Sequence, residues 1–149
     1  MAAPTEQQYQ SFLGTGWSFP PRFDQASGSV AMTADEEDIA ASLQILFGTM
    51  RGERFLNPKY GLNLRELLFE PMSTTMTTFV KDNIRTNILV YESRIAVENL
   101  ALDTSRQYDG RISILLEYRV RATNSRYNLV YPFFISDGSE VKLPVPPTV

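Results

Sequence analysis

The chain has 149 residues, 43% of them hydrophobic and 21% charged, and a formal net charge of −3. That fits one soluble domain and gives no electrostatic push toward nucleic acid or an anionic membrane. It has neither cysteine nor histidine, which excludes disulfides, thiol nucleophiles, sulfur-bound zinc and the commonest general base near neutral pH.

Residues Met1 to Gln10 are polar and carry Glu6. They lack the basic start and apolar stretch of a secretory signal, so a flexible lead over residues 1–11 and a cytoplasmic location are expected. The longest apolar runs, as in Asn128 to Ile135, fall short of the roughly 20 residues of a membrane helix. Phe12 to Phe23 reads FLGTGWSFPPRF. Gly14, Gly16, Pro20 and Pro21 prevent a helix there. A short extended segment is expected around Trp17 to Phe19, a turn over Asp24 to Ser29, and a second short strand over Val30 to Met32.

Thr33 and Glu36 have the spacing of a capping box, and Asp35, Glu36, Glu37 and Asp38 complement the dipole of a first helical turn. Ile39, Leu43, Leu46, Phe47 and Met50 then form one helical face, with Gly52 as the stop. Gly52 to Leu64 is an irregular connector. A short helix, Leu64 to Phe69, ends against Pro71. Met72 to Glu92 carries the longest helical pattern, capped by Ser73, with Met76, Phe79, Val80, Ile84, Ile88 and Tyr91 on its apolar face.

From Arg94 the period becomes two. Ile95 and Val97 fall out of phase with Leu100 and Leu102, which places a bulge near Glu98-Asn99. Asp109-Gly110 marks a turn. Ile112, Ile114, Leu116, Tyr118 and Val120 alternate inward, with Leu115 the apolar exception outside. After a turn at Asn124-Ser125 a third strand runs through Tyr127, Leu129, Tyr131 and Phe133, and Pro132 assigns it to an edge. A turn over Ser136 to Ser139 and an extended, proline-rich tail to residue 149 are expected. Helices followed by a three-stranded antiparallel sheet define an α+β domain over residues 12–135, with the helices on one face of the sheet.

Candidate chemistry is sparse. Glu66 and Glu70, four apart on the short helix, could be imagined as the carboxylate pair of a muramidase, but two acids beside Arg65 and Lys59 are more simply solvated or partner-facing. The acid run from Asp35 to Asp38 lacks the alternating ligands and glycine of a calcium loop. Arg111, Arg119 and Arg121, with Arg106 and Arg126, have no aromatics interleaved on their face, against nucleic-acid binding. Neither a metal nor a cofactor is expected. The segment Gly48 to Pro71 is loop-like yet rich in Arg, aromatics and Pro, a composition typical of interface anchors. Phe55, Leu56, Leu64 and Leu67 are expected to plug the core beneath it, leaving Arg51, Arg54, Lys59 and Glu70 toward a partner.

The words FLGTGWSFPPRF and LFGTMRGERFLNPKYGLNLRELLFEP, separated by an acidic helix start, resemble the baseplate wedge proteins of contractile phage tails. That family includes TssE of type VI secretion and its counterpart in extracellular contractile injection systems. The resemblance spans Phe12 to Phe134. It implies a non-enzymatic structural protein, present in several copies in a phage tail-like baseplate and similar in fold to the assembly (handshake) domain of the sheath subunit. It further implies that the wedge core bundle is bound below and the first sheath ring is templated above by β-strand addition. Wedge proteins and the sheath subunit are the implied partners, with tube or hub proteins as further neighbours. The family's Glu-Pro-Arg motif is matched by Glu70 and Pro71, with Met72 in place of the arginine and Arg65 or Arg54 as candidates to supply the charge. A second family signature is matched by Arg51, Glu53, Arg54, Pro58 and Gly61, and Lys59 lies within it. Strand addition is expected at the edge formed by Tyr127, Asn128, Leu129, Val130, Tyr131 and Phe133.

Overall fold

The computed structural model describes residues 13–64, 71 and 73–134. Four short strands precede the first helix: β1 (Thr15–Trp17), β2 (Phe23–Asp24), β3 (Ser29–Val30) and β4 (Met32–Ala34). They nest, β2 pairing with β3 inside the antiparallel β1–β4 ribbon. The expected turn is present: the Asp24 carboxylate accepts from the Ala26 N–H at 3.0 Å and the Ser27 hydroxyl at 2.6 Å. This pairing with short polar neighbours is how Asp favours turns. The strand limits shift from those expected, because Ala31 separates β3 from β4 and donates to the Arg22 carbonyl instead.

Helix α1 runs Asp35–Gly48 and buries Ile39, Leu43, Leu46 and Phe47, as its periodicity predicts. Its start differs from the expected capping box. Ala34 is the N-cap and supplies no side-chain bond. The β1–β4 ladder holds Ala34 opposite Thr15, so extended backbone continues one residue past Thr33. The Thr33 hydroxyl instead reaches Asp38 Oδ1 at 3.5 Å. The helix also stops at Gly48, not Gly52, and Met50 lies beyond it, 42% exposed. Gly52, at φ 88°, turns the following loop instead.

Of the expected short helix only Leu64, which is buried, is described, and Leu67 lies outside the described residues. Helix α2 runs Thr74–Tyr91, and the Ser73 hydroxyl caps it by accepting from the Met76 N–H at 3.2 Å. Val80, Ile84, Asn87 and Ile88 are buried. Phe79, expected on that face, is 59% exposed, whereas Asn87 occupies it. Asn87 tolerates burial because its amide donates to the Asn83 carbonyl at 2.9 Å.

Three long strands follow, β5 (Ile95–Asp103), β6 (Arg111–Val120) and β7 (Arg126–Phe134), in the antiparallel order β5-β6-β7. The register of β5 shifts between Val97 and Asn99, leaving Glu98 as the bulged residue. The β6–β7 register runs unbroken from Arg111↔Phe134 to Arg119↔Arg126, through Pro132. The inward residues Ile114, Leu116, Tyr118 and Val120 share one core with Ile39, Leu43, Leu46 and Phe47 of α1 and Val80, Ile84 and Ile88 of α2. Helix α2 meets the sheet at β5 and α1 meets it at β7, where Phe47 and Tyr131 pack edge-on with centroids 5.6 Å apart. The mixed, helix-then-sheet architecture is α+β.

Candidate partner-binding surfaces

A partly buried ionic junction, centred on the buried Glu92, holds the frame that carries these surfaces. Arg94, at the turn from α2 into β5, donates through Nε to Glu92 Oε1 at 2.6 Å and through Nη2 to Glu92 Oε2 at 2.7 Å. Its Nη1 reaches Asp38 Oδ2 at 2.8 Å and the Leu13 carbonyl at 3.1 Å. The Glu92 bonds, with help from Asp38, push the guanidinium pKa above its ordinary value although desolvation opposes the shift. One side chain thus ties the backbone at Leu13, the first turn of α1 and the α2–β5 junction together. Sequence reasoning missed it. The local sequence assigns Asp38 to the helix dipole, and nothing local pairs it with a residue 56 positions away.

The connector from Met50 to Leu62 is braced from within. The Gly52 N–H donates to the Pro58 carbonyl at 2.8 Å, the Leu62 N–H to the Thr49 carbonyl at 3.0 Å, and the Met50 N–H to Glu53 Oε2 at 2.9 Å. The Arg54 guanidinium lies 4.0 Å from the centroid of the Tyr60 ring, which packs edge-on against Tyr91 at 4.9 Å. Burial raises the Tyr60 pKa, and Arg54 opposes that rise. Gly61 has φ 108°, and a Cβ there would run into the Thr49 carbonyl. Only glycine fits such a close backbone approach.

Arg51, Glu53, Arg54 and Lys59 are all exposed on this loop. Phe55 and Leu56, expected to plug the core, are instead 97% and 95% exposed. The turn that closes Asn57 N–H onto the Arg54 carbonyl points them outward, while Leu62 and Leu64 fill the core below. Pro71 is exposed. Glu70, Met72, Arg65 and Glu66 lie outside the described residues.

The second surface is the sheet. Among the described residues no strand pairs with the outer edge of β7 or of β5. Along β7, Asn128 and Val130 are exposed, whereas Tyr127, Leu129, Tyr131 and Phe133 pack against the core. The two edges differ. On β5 the bulged Glu98 is engaged by Arg119 and Arg126, each at 3.3 Å. On the sheet's outer face, Asp103, Arg106, Arg111, Ser113, Leu115 and Val130 line a concavity of about 300 Å³. Its walls explain why Ser113, in an outward phase, is only 9% exposed. Hydrogen bonds from Ser105, and the nearby Arg106 and Arg111, lower the Asp103 pKa.

No helix among the described residues is long and apolar enough to cross a membrane, and none of their His, Cys, Asp and Glu side chains cluster in threes that could hold a metal ion.

A family model described as baseplate wedge protein gp25 matches residues 33–125. The crystal structure of a Geobacter sulfurreducens protein named as a tail lysozyme is similar at 36% identity and TM-score 0.64, over 72% of this chain and 96% of that one. A chain in the anti-feeding prophage baseplate has the same fold at 24% identity and TM-score 0.57, over 85% of this chain and 90% of that one. No curated protein matches.

Proposed function

Because the chain belongs to the baseplate wedge protein gp25 family, we propose that it is a structural, non-enzymatic component of the baseplate of a contractile injection system. In this reading it binds the wedge core bundle through its connector and starts the sheath by β-strand addition. The observation that carries the strand-addition reading is the regularly registered strand β7, whose outer edge pairs with no strand among the described residues. An open edge presents backbone donors and acceptors that another chain can complete, and backbone pairing repeats from ring to ring with little demand on sequence.

Among the described residues both outer edges of the sheet, β5 and β7, are open, and the favoured one is β7. Bulges twist a strand and disrupt its ladder, and β5 carries one at Glu98. The strand β7 pairs along its full length without interruption. Tyr127, Asn128, Leu129, Val130, Tyr131 and Phe133 would flank the incoming sheath arm, and β5 to β7 would play the part of the sheath's own handshake sheet. The connector residues Arg51, Glu53, Arg54 and Lys59, with Arg65, Glu70 and Pro71, would face the wedge. The protein would assemble in the cytoplasm, in several copies, into a phage tail-like particle, with tube or hub proteins nearby. The name of the Geobacter sulfurreducens relative concerns that protein, and the muramidase pair Glu66 and Glu70 has no described geometry to favour it.

Hydrogen exchange of the full chain with and without its sheath subunit tests the strand-addition reading. Amides in residues 126–134 should slow on addition while those in residues 95–103 keep their rates. Protection of β5 alone, or of neither strand, contradicts it.

A further inference from the structure

We propose that Phe55 and Leu56 form a rigid hydrophobic tip that inserts into an apolar, acid-rimmed pocket of a baseplate wedge protein. This rests on the baseplate reading and goes beyond it, because it moves the anchor of that contact from the connector's charges to two apolar side chains.

Two adjacent large side chains at 97% and 95% exposure are the most exposed apolar pair described in the chain. They occupy no core position, so folding does not account for them. An isolated exposed leucine would mean little, but a pair on a loop whose shape is fixed has the makings of a binding anchor. The shape is fixed on both sides of the tip. Before it, Glu53 accepts from the Met50 N–H and its own N–H donates to the Met50 carbonyl at 3.1 Å. After it, Gly52 bonds Pro58 and Tyr60 donates to the Asn57 carbonyl at 3.2 Å. Arg51 Nε reaches the Lys59 carbonyl at 3.4 Å across the loop's base. A tip held this way loses little conformational freedom on docking, which strengthens binding without further contacts.

Charge selects the partner. The loop carries Arg51, Arg54 and Lys59 against Glu53 alone, a local excess of cations on a chain whose formal charge is −3. Apolar tip and cationic surround are complemented by an apolar pocket with carboxylates at its rim, which also steers encounter. A second copy of this chain is a poorer fit. The concavity on the outer sheet face sets its apolar Leu115 and Val130 among Arg106 and Arg111, with Asp103 as its one carboxylate and that one already beside both arginines, so the cations of the loop would face a net excess of cations.

The test uses the full chain and the wedge proteins encoded with it, purified and probed one at a time by surface plasmon resonance. The unmodified chain should bind one of them. Phe55→Ser with Leu56→Ser should weaken binding on the order of 30-fold or more, the scale of hot-spot loss, with an unchanged melting temperature. Lys59→Glu should weaken binding less and flatten its salt dependence. A photo-reactive benzoyl group at position 55 in an otherwise unmodified chain should cross-link to that same wedge protein. If the unmodified chain binds none of the wedge proteins, the baseplate reading fails and this inference with it. If it binds and the double variant binds within twofold, or the cross-link is absent, only this inference is overturned.

Discussion

Arg94 grips Glu92 through two parallel bonds, Nε to Oε1 at 2.6 Å and Nη2 to Oε2 at 2.7 Å, with the glutamate only 3% exposed. Removing one partner of a buried ion pair leaves the other charge desolvated and uncompensated. Arg94→Leu is therefore expected to lower stability by about 3 kcal/mol in urea unfolding. Adding Glu92→Gln in the same chain should recover part of that loss, since a neutral amide costs less to bury. A double-mutant cycle without coupling would contradict the junction's role.

Gly61 and Gly52 both hold positive φ, at 108° and 88°, but only at Gly61 would a Cβ strike backbone. Gly52→Ala should cost about 1 kcal/mol, the penalty of left-handed backbone alone. Gly61→Ala should cost distinctly more, about 2 kcal/mol or above, because the Thr49–Met50 backbone must shift. Thermal denaturation of the two variants side by side checks the ordering.

Burial raises the pKa of Tyr118 and Tyr131 above their ordinary 10. A group held more tightly protonated in the folded state contributes stability in full below its unfolded pKa, and loses it as pH climbs through the folded one. Stability should therefore be flat near neutrality and fall from about pH 10 upward. Urea midpoints across that range, with tyrosinate absorbance as the second signal, check it. Tyr118→Phe should shallow the alkaline fall.

Phe79 and Ile84 share a predicted helical face but not an environment, at 59% and 0% exposure. Ile84→Ala should cost about 2–5 kcal/mol, the range for a buried aliphatic. Phe79→Ala should stay within about 1 kcal/mol. Equal losses would mean that α2 is rotated from the orientation described.

These contrasts mark how much was legible in the sequence. Period-two alternation placed β5, β6 and β7, and the phase slip between Val97 and Leu100 located the Glu98 bulge, because a strand with one buried face cannot slip unnoticed. Ser73 was readable as a cap because its hydroxyl acts locally. Thr33 was misread for the complementary reason: the cap position there is set by the β1–β4 ladder, a pairing between distant residues. The same holds for Arg94 and Asp38. Phe55 and Leu56 were misread because hydrophobicity alone assigns a side chain to the core, whereas a tight turn decides where it points. Of the expected surfaces, the sheet edge was legible as a proline-bearing last strand. The acid-proline motif at Glu70 lies mostly outside the described residues.

The central claim is that this chain sits in a baseplate and offers β7 to the sheath. Electron cryo-microscopy of assembled particles, resolved well enough to trace strands at the junction of baseplate and first sheath ring, tests it most directly. The account predicts this chain on the wedge, with a sheath arm hydrogen-bonded along residues 126–134. A chain absent from the baseplate, or present with β7 bare and the first sheath ring seated on another protein, would contradict it.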